Sequence, residues 1–369
     1  MADRNPPRAD VCVDLDAIRH NVRLLAAAAP DAEVMAVVKA DGYGHGAVPV
    51  ARAALSAGAS WLGVCSVAEA LRLRAEGITA PVLCWLDVPG TDLTDAVAAG
   101  VHIGVSDRAK LAAVAALGGV AHLKIDTGLS RNGCPPERWH DLVTAAAASG
   151  VEVHSIWSHL ACADEPGHPS VDAQAKRFDD AYDVALAAGL RPRRHLANSA
   201  ATLSRPDLHH DMVRVGIAMY GLNPLRQRRE LRPAMSFRSS VVLVKRLGEG
   251  ESVSYGQTWT AGRPTTVALV PVGYADGVPR LLSGRLEVWL GRRRPVLGRV
   301  CMDQIVVDCG DDAVCVGDEV VLFGDGGRGE PTATEWADTL GTIDYEIVTG
   351  MYRPRITRRY VDGPRGEVG

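Results

Sequence analysis

The chain has 369 residues, more than one hydrophobic core comfortably accommodates, so two domains are expected. Charged residues make up 23% of it and the formal net charge is only -4. That balance speaks against a nucleic-acid surface or an acidic tail and favours a small neutral or zwitterionic substrate.

The opening segment MADRNPPRAD has no hydrophobic signal core. No apolar run approaches the roughly 18 residues of a membrane span, so a cytoplasmic protein without a membrane partner is expected. From residue 15 to about residue 220, short apolar runs alternate with Ala/Leu-rich helical stretches. The runs are EVMAVVKA, WLGVCS, PVLCWL, HIGVSD, VAHLKIDT, VEVHSIWSHL, RRHLANS and MVRVGIAMYG. Segments such as SVAEALRLRAEG and DLVTAAAASG between them have helical spacing and end on a glycine that closes a helix. Eight strand-plus-helix units predict an α/β fold, a parallel (β/α)8 TIM-type barrel over residues 12–230, with a doubly wound open sheet as the alternative. Both place a site at the carboxyl ends of the strands.

GLNPLRQRRELRP, polar and carrying two prolines, reads as a linker. Beyond it SFRSSVVLVKRLG, TTVALVPVGYADG, RLEVWLG, RRPVLGRVCMDQIVVDCG and GDEVVLFGDG are β-branched runs split by turns, with little helical spacing until TATEWADTLG. A mainly β second domain over 231–369 follows. The eight cysteines include no C-x-x-C pair, which argues against a zinc site and a disulfide framework. HHD at 209–211 is too local to converge on an ion, so no metal is expected.

Polar residues recur where the predicted strands end: Lys39 after the first, Lys124 and Asp126 with the following Arg131 after the fifth, His159 after the sixth, Asn198 and Ser199 after the seventh. Arg214 lies in the eighth, before Gly216 and Ile217. Such groups converge on one rim, and the loops after strands seven and eight form the usual phosphate cradle of a barrel. A phosphorylated ligand opposite a lysine is therefore predicted. Lys39 could pair with an anion or form a Schiff base, and pyridoxal phosphate, with a phosphate and an aldehyde, satisfies both clues. In KADGYGHG, Gly42, Gly44 and Gly46 would let backbone approach a flat cofactor, and Tyr43 would offer its hydroxyl.

VVKADGYGHG, KIDTGLSRNG, ANSAAT, VRVGIAMYG, VGYADG and GRVCMDQ together resemble, in order and approximate spacing, the bacterial alanine racemase family of fold type III pyridoxal phosphate enzymes. The resemblance covers nearly the whole chain. It implies an isomerase that interconverts L-alanine and D-alanine for peptidoglycan, with Lys39 as cofactor lysine and one base and Tyr274, from the partner subunit of a homodimer, as the opposing base. It implies that Arg214 faces the pyridine nitrogen and that Tyr43, Ser199, Gly216, Ile217 and Tyr345 hold the phosphate. It further implies that His159 links Arg214 to Tyr274, that Arg131 orients oxygens with support from a Lys124 open to carbamylation, and that Met302 reaches in from the partner.

Racemisation removes the α-proton on one face and returns it on the other, so two flanking bases fit the reaction. An arginine at the pyridine nitrogen keeps the ring unprotonated and a weaker electron sink. Competing readings are a core histidine at His159 or His195, the latter also a candidate for the approach channel, and a surface lysine at Lys124. YGQTWT carries Trp259 where relatives often have tyrosine, which leaves the chemical set intact. A racemase of serine or broader specificity, and a non-catalytic pyridoxal phosphate carrier, are the alternatives. The second domain with VGYADG argues against the carrier, and Arg214 against a decarboxylase, which would present a glutamate there.

Overall fold

The structure, a computed structural model, describes residues 7–225 and 230–362. Part of the linker reading (226–229), the leader reading over residues 1–6 and the tail of the second domain (363–369) lie outside the described residues. The chain divides into two compact units, one of Ala17–Gly42 and Ala47–Arg232 and the other of Met1–Asp16, Tyr43–Gly46 and Pro233–Gly369.

The first unit is built on eight parallel strands: Glu33–Val37, Trp61–Val64, Val82–Cys84, Val101–Val105, Val120–Lys124, Glu152–Trp157, Arg193–His195 and Met212–Val215, here barrel strands one to eight. Each of the eight apolar runs became one of them. Strand eight pairs with strand one in the register Met35↔Arg214. Strands seven and eight are joined by Asp211 N–H donating to the Arg194 carbonyl at 3.1 Å and Arg214 N–H to the Ala197 carbonyl at 3.0 Å. The ring is nearly closed, so the TIM-type expectation holds and the open sheet does not.

Local signals explain the crossings. Ser66 and Glu69 form a capping box that starts the helix Val67–Ala75, and Gly150 at φ 71° ends the helix Pro136–Ser149 in the left-handed region that favours glycine. Gly63 and Gly104 lie in the barrel wall where any Cβ would run into Trp85, the first into its indole ring and the second into its Cα and Cβ, so their lack of a side chain is what admits this residue.

The second unit is a nine-stranded sheet in the order Leu243–Leu247, Thr265–Val270, Ile305–Gly310, Arg292–Leu297, Glu287–Leu290, Glu319–Phe323, Met235–Ser240, Ala9–Asp14, Thr357–Val361. The strand Ala9–Asp14 thus pairs outside the barrel, antiparallel to Met235–Ser240 and parallel to Thr357–Val361. A Thr332/Glu335 capping box starts the helix Ala333–Leu340 within TATEWADTLG. Among the described residues no helix is long and apolar enough to cross a membrane.

Candidate active site

Barrel strand one ends at Val37, and Lys39 opens an unusual turn. Ala40, Asp41 and Gly42 have φ of 51°, 51° and 64°, and Tyr43 follows at 51°. Four consecutive left-handed residues, three of them not glycine, are strained by about 1–2 kcal/mol each for those with a Cβ. The helix Val67–Ala75 holds them there. Glu69 Oε1 accepts from Ala40 N–H at 2.7 Å while its Oε2 accepts from Cys65 N–H at 2.8 Å. Asp41 Oδ1 accepts from Ala47 N–H and from Arg72 Nη1, each at 3.0 Å. The space beside Gly44 and Gly46 is taken up by protein. A Cβ at Gly44 would strike the Val348 carbonyl and one at Gly46 the Tyr360 hydroxyl.

Arg214 is the buried centre of the rim. Its Nη1 donates to the His195 carbonyl at 2.8 Å and to His195 Nδ1 at 3.2 Å; its Nη2 donates to the Ser158 carbonyl at 2.7 Å, the Leu196 carbonyl at 3.2 Å and His159 Nδ1 at 3.3 Å. Nε makes no hydrogen bond among the described residues, which leaves one donor of this fork for a ligand acceptor. Burial pulls the guanidinium down to about 9, still a cation at neutral pH.

Trp157 underlies two of the cations, with Lys124 Nζ 4.3 Å from its ring centroid and the Arg214 guanidinium 4.9 Å away. Its indole N–H is buried with no acceptor among the described residues. Lys124 is also buried, and burial, reinforced by Arg214 and Arg131, pushes its amine down to about 7. His159, half-buried, is held well below the usual imidazole range by burial and then by Arg214, Arg131, Lys124 and Lys39, so it is neutral. His195 is fully buried and likewise neutral. It is a structural partner of Arg214 and not part of an approach channel.

At the loops after strands seven and eight, Ser199 Oγ accepts from Gly216 N–H at 2.8 Å and from Ala218 N–H at 3.4 Å, so the turns Ser199–Ser204 and Ile217–Tyr220 start side by side. Asn198 caps the first of them by accepting from Ala201 N–H. Lys39, Lys124, Arg131, His159, Ser199, Arg214, Gly216 and Ile217 therefore all lie in or just beyond carboxyl ends of barrel strands. The set is rich in cations and donors and poor in acceptors.

Within the second unit, the Tyr43 and Tyr345 rings stand 6.0 Å apart. Tyr274 N–H donates to the Cys301 carbonyl and Ala275 N–H to the Met302 carbonyl, both at 3.0 Å. Gly273 permits this approach, since a Cβ there would meet both carbonyls. Tyr274 is 38% exposed and Met302 53%, so both present side chains at this unit's surface. His209 and His210 of HHD turn apart, one to the Thr202 carbonyl and the other to the Phe178 ring.

The sequence reading missed Glu69, Asp41 and Arg72, which hold the turn after Lys39, and Trp157, which lies under Lys124. Only the capping pattern S-x-x-E at 66–69 hinted at Glu69.

Comparison with known proteins places this arrangement. Residues 13–224 match the family model described as alanine racemase, N-terminal domain, and residues 234–360 that of the C-terminal domain. The chain is 55% identical over 371 residues to the alanine racemase of Salinispora arenicola, covering 97% of this chain and 99% of the relative. It is also 55% identical to that of Mycobacterium avium, covering 95% of each. Among solved structures, alanine racemase from Streptomyces lavendulae superposes with a TM-score of 0.93 at 47% identity, covering 98% of this chain and 99% of that one. The Bartonella henselae alanine racemase with covalently bound pyridoxal phosphate does so with 0.88 at 28% identity, covering 96% and 100%.

Proposed function

This chain belongs to the alanine racemase family of pyridoxal phosphate-dependent isomerases, and from that premise we propose that it interconverts L-alanine and D-alanine with two opposed bases. The observation that carries the reading is the donor-rich rim around buried Arg214, where Nε and the Trp157 indole N–H have no acceptor among the described residues. Pyridoxal 5′-phosphate, with a ring nitrogen, a ring oxygen and a phosphate, has acceptors of the kind this rim lacks, and so it fits.

Bound there, the cofactor supplies an electron sink that acidifies the α-hydrogen of the amino acid attached to it. Everything else falls to side chains. Lys39 would hold the cofactor through its aldehyde carbon and would serve as the base that holds or donates a proton at Cα from one face. Tyr274 of the partner subunit does so from the other face. Arg214, a cation whose Nε–H has no acceptor among the described residues, would face the ring nitrogen and could supply no proton to it. Because His159 is neutral and accepts from Arg214 at Nδ1, its proton sits on Nε2, where it can be donated to the phenolate of Tyr274 of the partner subunit. Ser199, Gly216 and Ile217, with Tyr43 and Tyr345, would hold the phosphate. Arg131 steadies the substrate carboxylate, with Met302 of the partner subunit walling the pocket to the size of alanine. Lys124, whose amine burial brings down to about 7 so that a substantial share is neutral near neutral pH, is suited to add carbon dioxide and become a carbamate that pairs with Arg131.

The barrel, which within residues 12–230 begins at Ala17, acts as the cofactor-binding unit and the β domain over 231–369 as the arm that serves a neighbour's site, in a cytoplasmic homodimer that supplies D-alanine for peptidoglycan. The exposed Tyr274 and Met302 support that arrangement, because a catalytic phenol at a surface needs a partner to exclude water from it. The test is an absorbance spectrum before and after borohydride, followed by incubation with L-alanine and chiral analysis. A visible band removed by reduction together with D-alanine formation supports the reading. The same band with turnover of serine in place of alanine moves the substrate, and no band in cofactor-supplied protein sinks the proposal.

A further inference from the structure

Below Arg214 the barrel interior contains an unbroken run of polar contacts that none of the roles above uses. His195 Nε2 lies 2.9 Å from Ser155 Oγ and 3.2 Å from His122 Nδ1. Ser155 Oγ lies 2.6 Å from His122 Nδ1, and His122 Nε2 lies 3.0 Å from His102 Nδ1. His195, Ser155 and His122 have no solvent exposure at all, and His102 is half-buried. The residues come from barrel strands seven, six, five and four, one from each, so the run crosses the cylinder on rigid backbone.

Chemistry fixes its direction. A guanidinium can only donate, so His195 Nδ1, 3.2 Å from Arg214 Nη1, is an acceptor. Burial keeps His195, His122 and His102 in the neutral form, so each ring carries one proton. The His195 proton is therefore on Nε2 and is donated to Ser155 Oγ. The serine hydroxyl then donates to His122 Nδ1, which puts the His122 proton on Nε2, facing His102 Nδ1. Every link points away from Arg214.

We propose that Ser155 and His122, backed by His102, are positioning residues that lock His195 in its Nε2–H tautomer and thereby hold the Arg214 guanidinium. This rests on the role of Arg214 in the proposed function. Were the chain reversed, an imidazole N–H would face a guanidinium N–H inside the barrel, and the fork would have to turn away. His102, His122 and His154 each place one nitrogen within 4.8 Å of the others, a spacing a metal could use. The directed chain gives those atoms a different occupation. His122 accepts at one nitrogen and donates from the other, so it has no lone pair for an ion, and its ring is stacked on His154 with an interplanar angle of 14°.

The test uses cofactor-loaded enzyme labelled with 15N in histidine. The imidazole spectrum is expected to show His195 and His122 both protonated at Nε2; a proton on Nδ1 of either overturns the proposal. Two variants add a kinetic readout. His122→Asn keeps an acceptor oxygen near the position of Nδ1, whereas His122→Leu removes it. The leucine variant is expected to lose about tenfold in kcat with little change in KM and to shift the cofactor's absorbance, while the asparagine variant stays within about threefold of wild type. Equal behaviour of two folded variants overturns the proposal. Calorimetric binding of zinc that disappears in His102→Asn and His154→Asn overturns it as well, because it requires an unprotonated His122 Nε2. Failure of wild type to racemise alanine would instead strike the proposed function, since the tautomers are read without turnover.

Discussion

Lys124 stands with its amine 4.3 Å over the ring of Trp157, inside the barrel and without an ion-pair partner among the described residues. Its amine is drawn from 10.5 down to about 7, chiefly by burial. Between those values the unfolded chain binds more protons at this site than the folded one, so stability should rise with pH. The slope is at most about 1.4 kcal/mol per pH unit. Urea unfolding at pH 7.5 and 9.5, about the two ends of that window, in buffer stripped of carbon dioxide should show the rise in wild type and lose it in Lys124→Met. An equal rise in both proteins would refute the assignment. Restoring 13C-labelled carbon dioxide should add a carbamate resonance in wild type alone.

The proposed division of the two bases between subunits has a reconstitution test. Lys39→Ala and Tyr274→Phe should each lower racemisation by at least about a thousandfold, in the upper range for a general base that also binds the cofactor. Dissociated, mixed equally and reassociated, they should recover about a quarter of wild-type activity, since half the dimers are mixed and each restores one of two sites. No recovery from a mixture shown to contain mixed dimers would put both bases in one chain.

Arg214→Glu should change the partition of products. A carboxyl group beside the ring nitrogen favours its protonation and a stronger electron sink, so transfer of the amino group to yield pyruvate should rise relative to racemisation. The site resists the change, because the Ser158, His195 and Leu196 carbonyls that now accept from Arg214 would face the glutamate, and a lower Tm should accompany it. An unchanged ratio of pyruvate to D-alanine would count against the assigned role of Arg214.

The left-handed turn after Lys39 offers a substitution that should stabilise. Ala40 is exposed at φ 51°, so Ala40→Gly relieves a Cβ clash without emptying a packed site. After the entropy that glycine adds to the unfolded chain, up to about 1 kcal/mol of stability should remain. Glu69→Ala should do the opposite by removing the acceptor of Ala40 N–H. Thermal unfolding of the two variants checks the pair; a destabilised Ala40→Gly would show that the turn is not strained at that residue.

The rim was legible in the sequence because parallel strands buried on both faces read as continuous apolar runs, and polar residues at their carboxyl ends stand out against them. Lys39, Lys124, His159 and Arg214 were placed that way. The placement of Ala9–Asp14 was not, since a six-residue segment such as ADVCVD does not say which sheet it will join, and its pairing with Met235–Ser240 and Thr357–Val361 is made across more than 200 residues.

What the sequence determined by itself was the order of strands and helices and the chemical groups at the strand ends, both local properties of period and composition. What only the tertiary structure decided was how those groups are held. Trp157 and Ser155, His122, and His195 lie on three different strands far apart in sequence, and they come together only because a closed cylinder points their side chains into one space. There, with water excluded, each donor must find an acceptor, and Arg214, which can only donate, dictates the direction of every bond that follows.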